Sequence, residues 1–178
     1  MSRTRRQALD AAVTLIGTEG IRALTHGRVD AAASLPPGST SNHFRTRAAL
    51  IAGVIEWMAR QERSDAGTPE ITSRDDLVGA LTRMIALQSG PLAGRTRARY
   101  ALFLEADEDA TAPLREQRIG MEMWIRSILL TLGGETAARR APFLMAAGEG
   151  LLLHRITVDP EAPIEDVIAR AVDATLTG

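Results

Sequence analysis

Cysteine is missing from this chain, and so is lysine: all 21 basic residues are arginine. Without thiols there are no disulfides, no thiol nucleophile and no thiolate metal site. Aromatics make up only 3% of the sequence, so any core must rest on aliphatic side chains. No apolar run reaches the roughly 18 residues that a membrane helix requires, and no membrane partner is expected. The start, Met1-Ser2-Arg3-Thr4-Arg5-Arg6, is basic, but Glu19 and Gly20 interrupt the only apolar stretch that follows. That does not read as a secretory signal, and a cytoplasmic protein is expected. The rest is ordinary for a globular chain: 178 residues, 45% hydrophobic and 24% charged, enough for one or two domains with a real core.

The net charge of −1 conceals an asymmetry. Residues 1–50 hold seven arginines (3, 5, 6, 22, 28, 45 and 47) against three acids, Asp10, Glu19 and Asp30. The remainder holds 14 arginines against 19 acids. A basic front on an acidic body suits contact with a polyanion at one end. A chance imbalance would look the same, so charge alone does not decide.

Apolar spacing is helical throughout, and no alternating stretch argues for a strand. Leu9, Ala12, Val13 and Ile16 mark a first helix over 4–19, with Gly20 as its stop. Thr25 can cap a short second helix reaching Ala33. A longer helix over 47–64 carries Leu50, Ile51, Val54, Ile55 and Met58 on one stripe, and residues 65–69 break the chain, a domain boundary in composition, with the long helix expected to span both parts. Further helices are expected over 75–88, 95–105 and 114–132, the last ended by Gly133-Gly134. Another covers 135–158, kinked or restarted at Pro142, and a final one starts near Pro163. The expected fold class is all-α, with about nine helices.

Between the second helix and the long one lies LPPGSTSNHF, Leu35 to Phe44. A core helix would need more apolar residues. Two short helices joined by a tight turn at Ser34-Leu35, on a basic N-terminal segment, make a helix-turn-helix. Pro36 or Pro37 would start the second of them, since a first-turn proline wastes no backbone N–H. Gly38, Ser39, Thr40 and Ser41 are small enough to enter a major groove. Ser39, Thr40, Asn42 and His43 can hydrogen-bond to base edges or phosphate oxygens. Phe44 would return to the core, with Arg45 and Arg47 placed to neutralise phosphates. Read alone, Ser39, Thr40 and Asn42 are equally a polar helix surface. Arg3, Arg5 and Arg6 are either a free tail or a basic arm, and Arg28 lies where it can reach a phosphate.

The segment Arg6–Leu50 resembles the DNA-binding domain of the TetR/AcrR family of bacterial repressors. With h for apolar and x for any residue, that family runs F-x-E-x-G, hxxhT, hAxxAGVS, xGxhYxHF and xxKxxL. Here the corresponding stretches read LIGTEGIRALT, VDAAASLP, PGSTSNHF and RTRAAL. By this resemblance, Thr25 takes the place of a helix-capping threonine that touches phosphate. Gly38 takes that of the glycine near the start of the recognition helix, where backbone faces DNA. His43 and Phe44 match the family's His-Phe, and Arg47 stands for a phosphate-contacting lysine. Three positions depart: Ser34 replaces the turn glycine, Pro36 the capping serine and Ser41 the tyrosine. Residue chemistry and the resemblance together give the candidate interface: Thr25, Arg28, Pro37, Gly38, Ser39, Thr40, Asn42, His43, Arg45 and Arg47.

The resemblance also implies a division into a DNA-binding domain, 1–47, and a ligand-binding and dimerisation domain, 48–178. The implied partners are an operator in double-stranded DNA, a small-molecule effector and a second copy of the chain. The last two helices fit the family's dimer interface; the alternative is that they finish a monomer core. Trp57, Met84, Tyr100, Phe103, Met121, Trp124 and His154 are the candidates for lining a ligand pocket, because methionines and aromatics suit irregular cavities. Arg99, Tyr100, Glu105 and Glu122 could anchor a ligand there. Plain core packing is the competing reading for most of these, and a satisfied core or interface histidine for His154.

No cofactor or metal is expected, since His26, His43 and His154 are too scattered for ligand spacing. The acidic run Asp107-Glu108-Asp109 reads as a solvated helix end. No nucleophile triad, phosphate loop or paired-carboxylate motif points to an enzyme. The expected function is therefore a ligand-responsive transcriptional regulator, a repressor released from a near-palindromic operator by a small molecule. The alternative is a helical small-molecule-binding protein that keeps the fold without sequence-specific DNA binding.

Overall fold

The computed structural model describes residues 1–66 and 70–177. Among these it contains nine α-helices and no strand. In chain order they are α1 (Arg3–Glu19), α2 (His26–Ala32), α3 (Ser39–His43), α4 (Arg47–Ala66), α5 (Arg74–Ser89), α6 (Ala93–Glu105), α7 (Ala112–Ala138), α8 (Ala141–Thr157) and α9 (Glu165–Thr177). A single 3-10 turn, Ile21–Ala23, separates α1 from α2. The fold is all-α. The break expected over 65–69 falls largely outside the described residues.

The helices pack as two compact units, residues 1–65 with 94–116, and 66–93 with 117–178. Packing does not divide at residue 47. Leu50, Val54, Ile55 and Met58 of α4 are all fully buried in the first unit, with α1 and with Ala98 and Leu102 of α6.

In the first unit, Ser2 caps α1 by accepting from the Arg5 N–H at 3.2 Å. Ala8, Leu9, Ala12 and Ile16 make its buried stripe. Gly17 is where α1 meets α6, for a Cβ there would lie 2.1 Å from the Gly94 carbonyl oxygen. Close approach of two backbones demands a glycine at such a point. Between α4 and α6, the buried Arg99 donates to Glu62 at 3.1 Å. Each charge is thereby partnered inside the protein, which burial requires.

In the second unit, α5, α8 and α9 pack on one another. Leu77, Leu81 and Ile85 of α5, Leu144, Leu152 and Ile156 of α8, and Ile168 and Val172 of α9 are buried. Ser73 caps α5, and Arg74 grips Asp173 of α9 through two hydrogen bonds of 2.7 and 2.9 Å. Helix α7 is broken at Gly134, whose φ of 72° lies in the left-handed region. The helix expected over 135–158 therefore divides: its start belongs to the end of α7, and α8 restarts at Ala141 with Pro142 in its first turn. No helix among the described residues is long and apolar enough to cross a membrane.

Candidate nucleic-acid interface

Helices α1, α2 and α3 contact one another within the first unit. Thr25 caps α2, its hydroxyl accepting from the Arg28 N–H at 3.3 Å. The far end of α2 closes with two reverse hydrogen bonds, Leu35 N–H to Asp30 C=O at 2.8 Å and Ser34 N–H to Ala31 C=O at 3.1 Å. This is a Schellman ending, which wants a left-handed residue just past the helix. Ser34 supplies it with φ 53°. Leu35 then packs against the core.

The prolines do not start α3 as expected. Residues 36–39 form a turn, closed by the Ser39 N–H to Pro36 C=O bond at 3.1 Å, with Gly38 at φ 89° and ψ −8°. Proline followed by a left-handed glycine is the signature of a type II turn. The helix begins only after it and lasts five residues. First-turn logic favoured proline at the helix start; the Pro-Gly pair instead makes a turn that ends where the helix begins.

No side chain of its own caps α3. The cap comes from behind, from Asp30 on α2. Its carboxylate accepts from the Gly38 N–H at 2.8 Å, the Thr40 N–H at 2.8 Å and the Thr40 hydroxyl at 2.5 Å. Asp30 is buried. Burial pushes its carboxyl up, but the Thr40 hydroxyl, the Thr40 and Gly38 amides and the nearby His26 outweigh it and hold the group below the usual aspartate value of 3.8. Its contribution to stability is thus present above that value and is lost as pH falls through the lower folded one. At the other end of α3, the His26 Nε2–H donates to the Phe44 carbonyl at 2.6 Å. The Phe44 ring is buried, with the Arg5 guanidinium 5.2 Å from its centroid. A Cβ on Gly53 of α4 would lie 2.4 Å from that ring. Trp57 of α4 donates its indole N–H to Asp10 of α1 at 2.8 Å.

This geometry sorts the expected DNA contacts. Asn42, His43 and Arg45 are exposed, and neither Asn42 nor Arg45 has a side-chain partner among the described residues. Ser39 is half-buried and exposed Ser41 lies beside it; their hydroxyls donate locally to Pro36 C=O at 2.6 Å and Gly38 C=O at 2.9 Å, leaving lone pairs as acceptors. Thr25 and Pro37 are exposed, and exposed Arg28 pairs with Glu19 at 2.6 Å. Three expectations need correction. Thr40 is fully buried, its hydroxyl given to Asp30, so it faces the protein interior. The Gly38 N–H also points at Asp30. Arg47 spends its guanidinium on the carbonyls of Leu24 at 3.2 Å and Ile21 at 2.7 Å, so its first role is to tie α4 to the turn after α1.

Asp30 and His26 were not singled out from the sequence. A signal for Asp30 existed. In hAxxAGVS the position of Asp30 is alanine, and in xGxhYxHF the position of Thr40 is apolar. Two departures toward polarity on facing short helices are the mark of a buried hydrogen bond replacing an apolar contact.

A family model described as "Tetracyclin repressor-like, C-terminal domain" matches residues 72–178. The chain belongs to the TetR family. No curated protein matches it. Among solved structures, a TetR-family member from Streptomyces coelicolor A3 is 25% identical, with 99% of this chain and 100% of that one covered and a TM-score of 0.75. A TetR-family regulator from Rhodococcus is 20% identical over 99% and 100%, with a TM-score of 0.76. The multidrug binding protein EbrR, solved with ethidium, is 23% identical over 99% and 100%, with a TM-score of 0.69.

In this TetR-family chain the candidate pocket residues are divided. Trp57, Tyr100 and Phe103 belong to the first unit, where Trp57 and Phe103 pack against the core. Tyr100 has the Arg99 guanidinium 5.3 Å from its ring centroid. Met84, Met121 and Trp124 are half-buried in the second unit. His154 is exposed on α8, not a core histidine, and Glu105 and Glu122 are exposed too.

Proposed function

We propose that the chain is a repressor that reads a near-palindromic operator as a homodimer and is released by a small-molecule effector. The observation that carries this reading is α3: a short helix pinned at both ends, with Asn42 and His43 facing outward and the exposed Arg45 beside it. Side chains in that arrangement suit base edges and phosphates. Thr25, Pro37 and Ser39 flank them, and Arg28 can exchange Glu19 for a phosphate. Two copies would set their α3 helices about 34–36 Å apart, one turn of DNA.

For dimerisation, α8 offers an exposed face of Phe143, Ala146, Gly150, Leu153 and His154 at helical spacing. Val167 and Ala174 make a similar face on α9. Small and apolar residues left in water on two neighbouring helices suit a self-complementary contact. The effector reading draws on EbrR, which binds ethidium, and on the half-buried Met84, Met121 and Trp124, whose chemistry suits flat or irregular organic molecules. Such a ligand releases DNA only if it binds the released state more tightly.

The test is a gel-shift with DNA upstream of the protein's own gene at two salt concentrations. A specific complex that weakens with salt is expected. Failure with every upstream fragment, together with tight binding of an organic cation such as ethidium, would instead favour a helical small-molecule-binding protein that does not read DNA.

A further inference from the structure

We propose that His26 and Asp30 are positioning residues that clamp the recognition helix from behind and so set its power to discriminate sequences. The two side chains stand four residues apart on α2, hence on one face of it. Asp30 holds the start of α3 through the amides of Gly38 and Thr40. His26 holds its end through the Phe44 carbonyl. The distance between the grips is the length of α3 itself.

The physical need is plain. A five-residue helix cannot sustain itself in water, because nucleation costs more than so few hydrogen bonds return. Its first amides have no partner inside the helix, and neither Ser39 nor the residue before it supplies a capping side chain. The Thr40 hydroxyl adds a third bond to Asp30, which orients the carboxylate so that each oxygen meets one amide. Asparagine has the same shape but only one acceptor, and its NH₂ would face an N–H. Glutamine in place of His26 keeps an N–H donor within reach of the carbonyl.

The inference rests on the DNA-reading role proposed above, and the experiment separates the two. Wild-type protein selects a duplex from a randomised library. Affinity is then measured for that duplex and for a scrambled one of equal length, using H26A, H26Q and D30N. Amide hydrogen exchange of each variant is followed without DNA. D30N and H26A are expected to lose affinity for the selected duplex on the order of tenfold, the scale of a missing helix cap. The scrambled duplex, bound through phosphates, should change by less than about twofold. Exchange should speed up at residues 40–44 and not in α1 or α4, and H26Q should restore most of the H26A loss. Wild-type affinity and unchanged exchange in D30N and H26A would overturn the clamp, as would H26Q behaving like H26A. Should D30N disturb α1 or α4 as well, the H26A and H26Q pair decides. If wild-type protein selects no duplex, the DNA-reading role fails, and the exchange data alone decide whether the two residues hold α3.

Discussion

Ser34 carries a cost that its neighbours impose. The Schellman ending of α2 fixes its φ at 53°, where an L side chain crowds the backbone. Glycine relieves the crowding but gains freedom in the unfolded chain. The first effect is the larger, so S34G should stabilise the protein by about 0.5–1 kcal/mol, seen as a higher urea midpoint with an unchanged slope. Arg45 and Arg47 separate in the same way. Arg45 has no side-chain partner among the described residues, so on the proposed DNA-reading role R45A should weaken all duplexes about equally and lower the salt slope by about 1. Arg47 is bonded to the Leu24 and Ile21 carbonyls, so R47A should first cost about 1–2 kcal/mol of stability in the same urea titration. Sequence reading treated the two arginines alike, because a motif position gives charge and reach but not which carbonyls lie within that reach. Thr40 was misread for a related reason: a hydroxyl in a polar run looks solvent-facing until the facing Asp30 is in view.

At the scale of elements, the sequence revealed much more. Helical spacing located α1, α4, α5, α6 and α9 to within a few residues; all but α6, which buries Thr96 and Arg99 beside Ala98 and Leu102, bury a long apolar stripe. Gly133-Gly134 correctly marked the break in α7. The start of α3 was misplaced because five residues carry no periodicity, and a Pro-Pro-Gly run serves a turn as readily as a helix. What positions α3 also lies outside it. Gly53 opens a slot for the Phe44 ring, although alanine is the better residue in a helix interior by about 0.5–1 kcal/mol. Overpacking against a buried ring costs about 1–3 kcal/mol, so G53A should be a net loss of about 1 kcal/mol. Calorimetry should record that loss, and the selected duplex should bind more weakly as Phe44 is displaced. A more stable G53A protein would mean that the slot is not filled in solution.

For the whole molecule, the all-α class and the family were legible, while the return of α6 to the N-terminal helices was not, because those contacts are far apart in sequence. The candidate pocket residues were scattered across both units for the same reason. Removing α9 is a poor probe of dimerisation, since Ile168 and Val172 are fully buried in the second unit. L153E changes only the exposed face of α8 and should turn dimers into monomers by sedimentation, with helix content retained; an intact dimer would place the contact elsewhere. The arrangement behind α3 has one more consequence. Asp30, His26 and Phe44 hold that helix from its inner side, and none of the bonds that do so uses the exposed side chains of Asn42 and His43. If those two side chains read DNA as proposed, exchanging them changes which letters are preferred while the scaffold stays untouched.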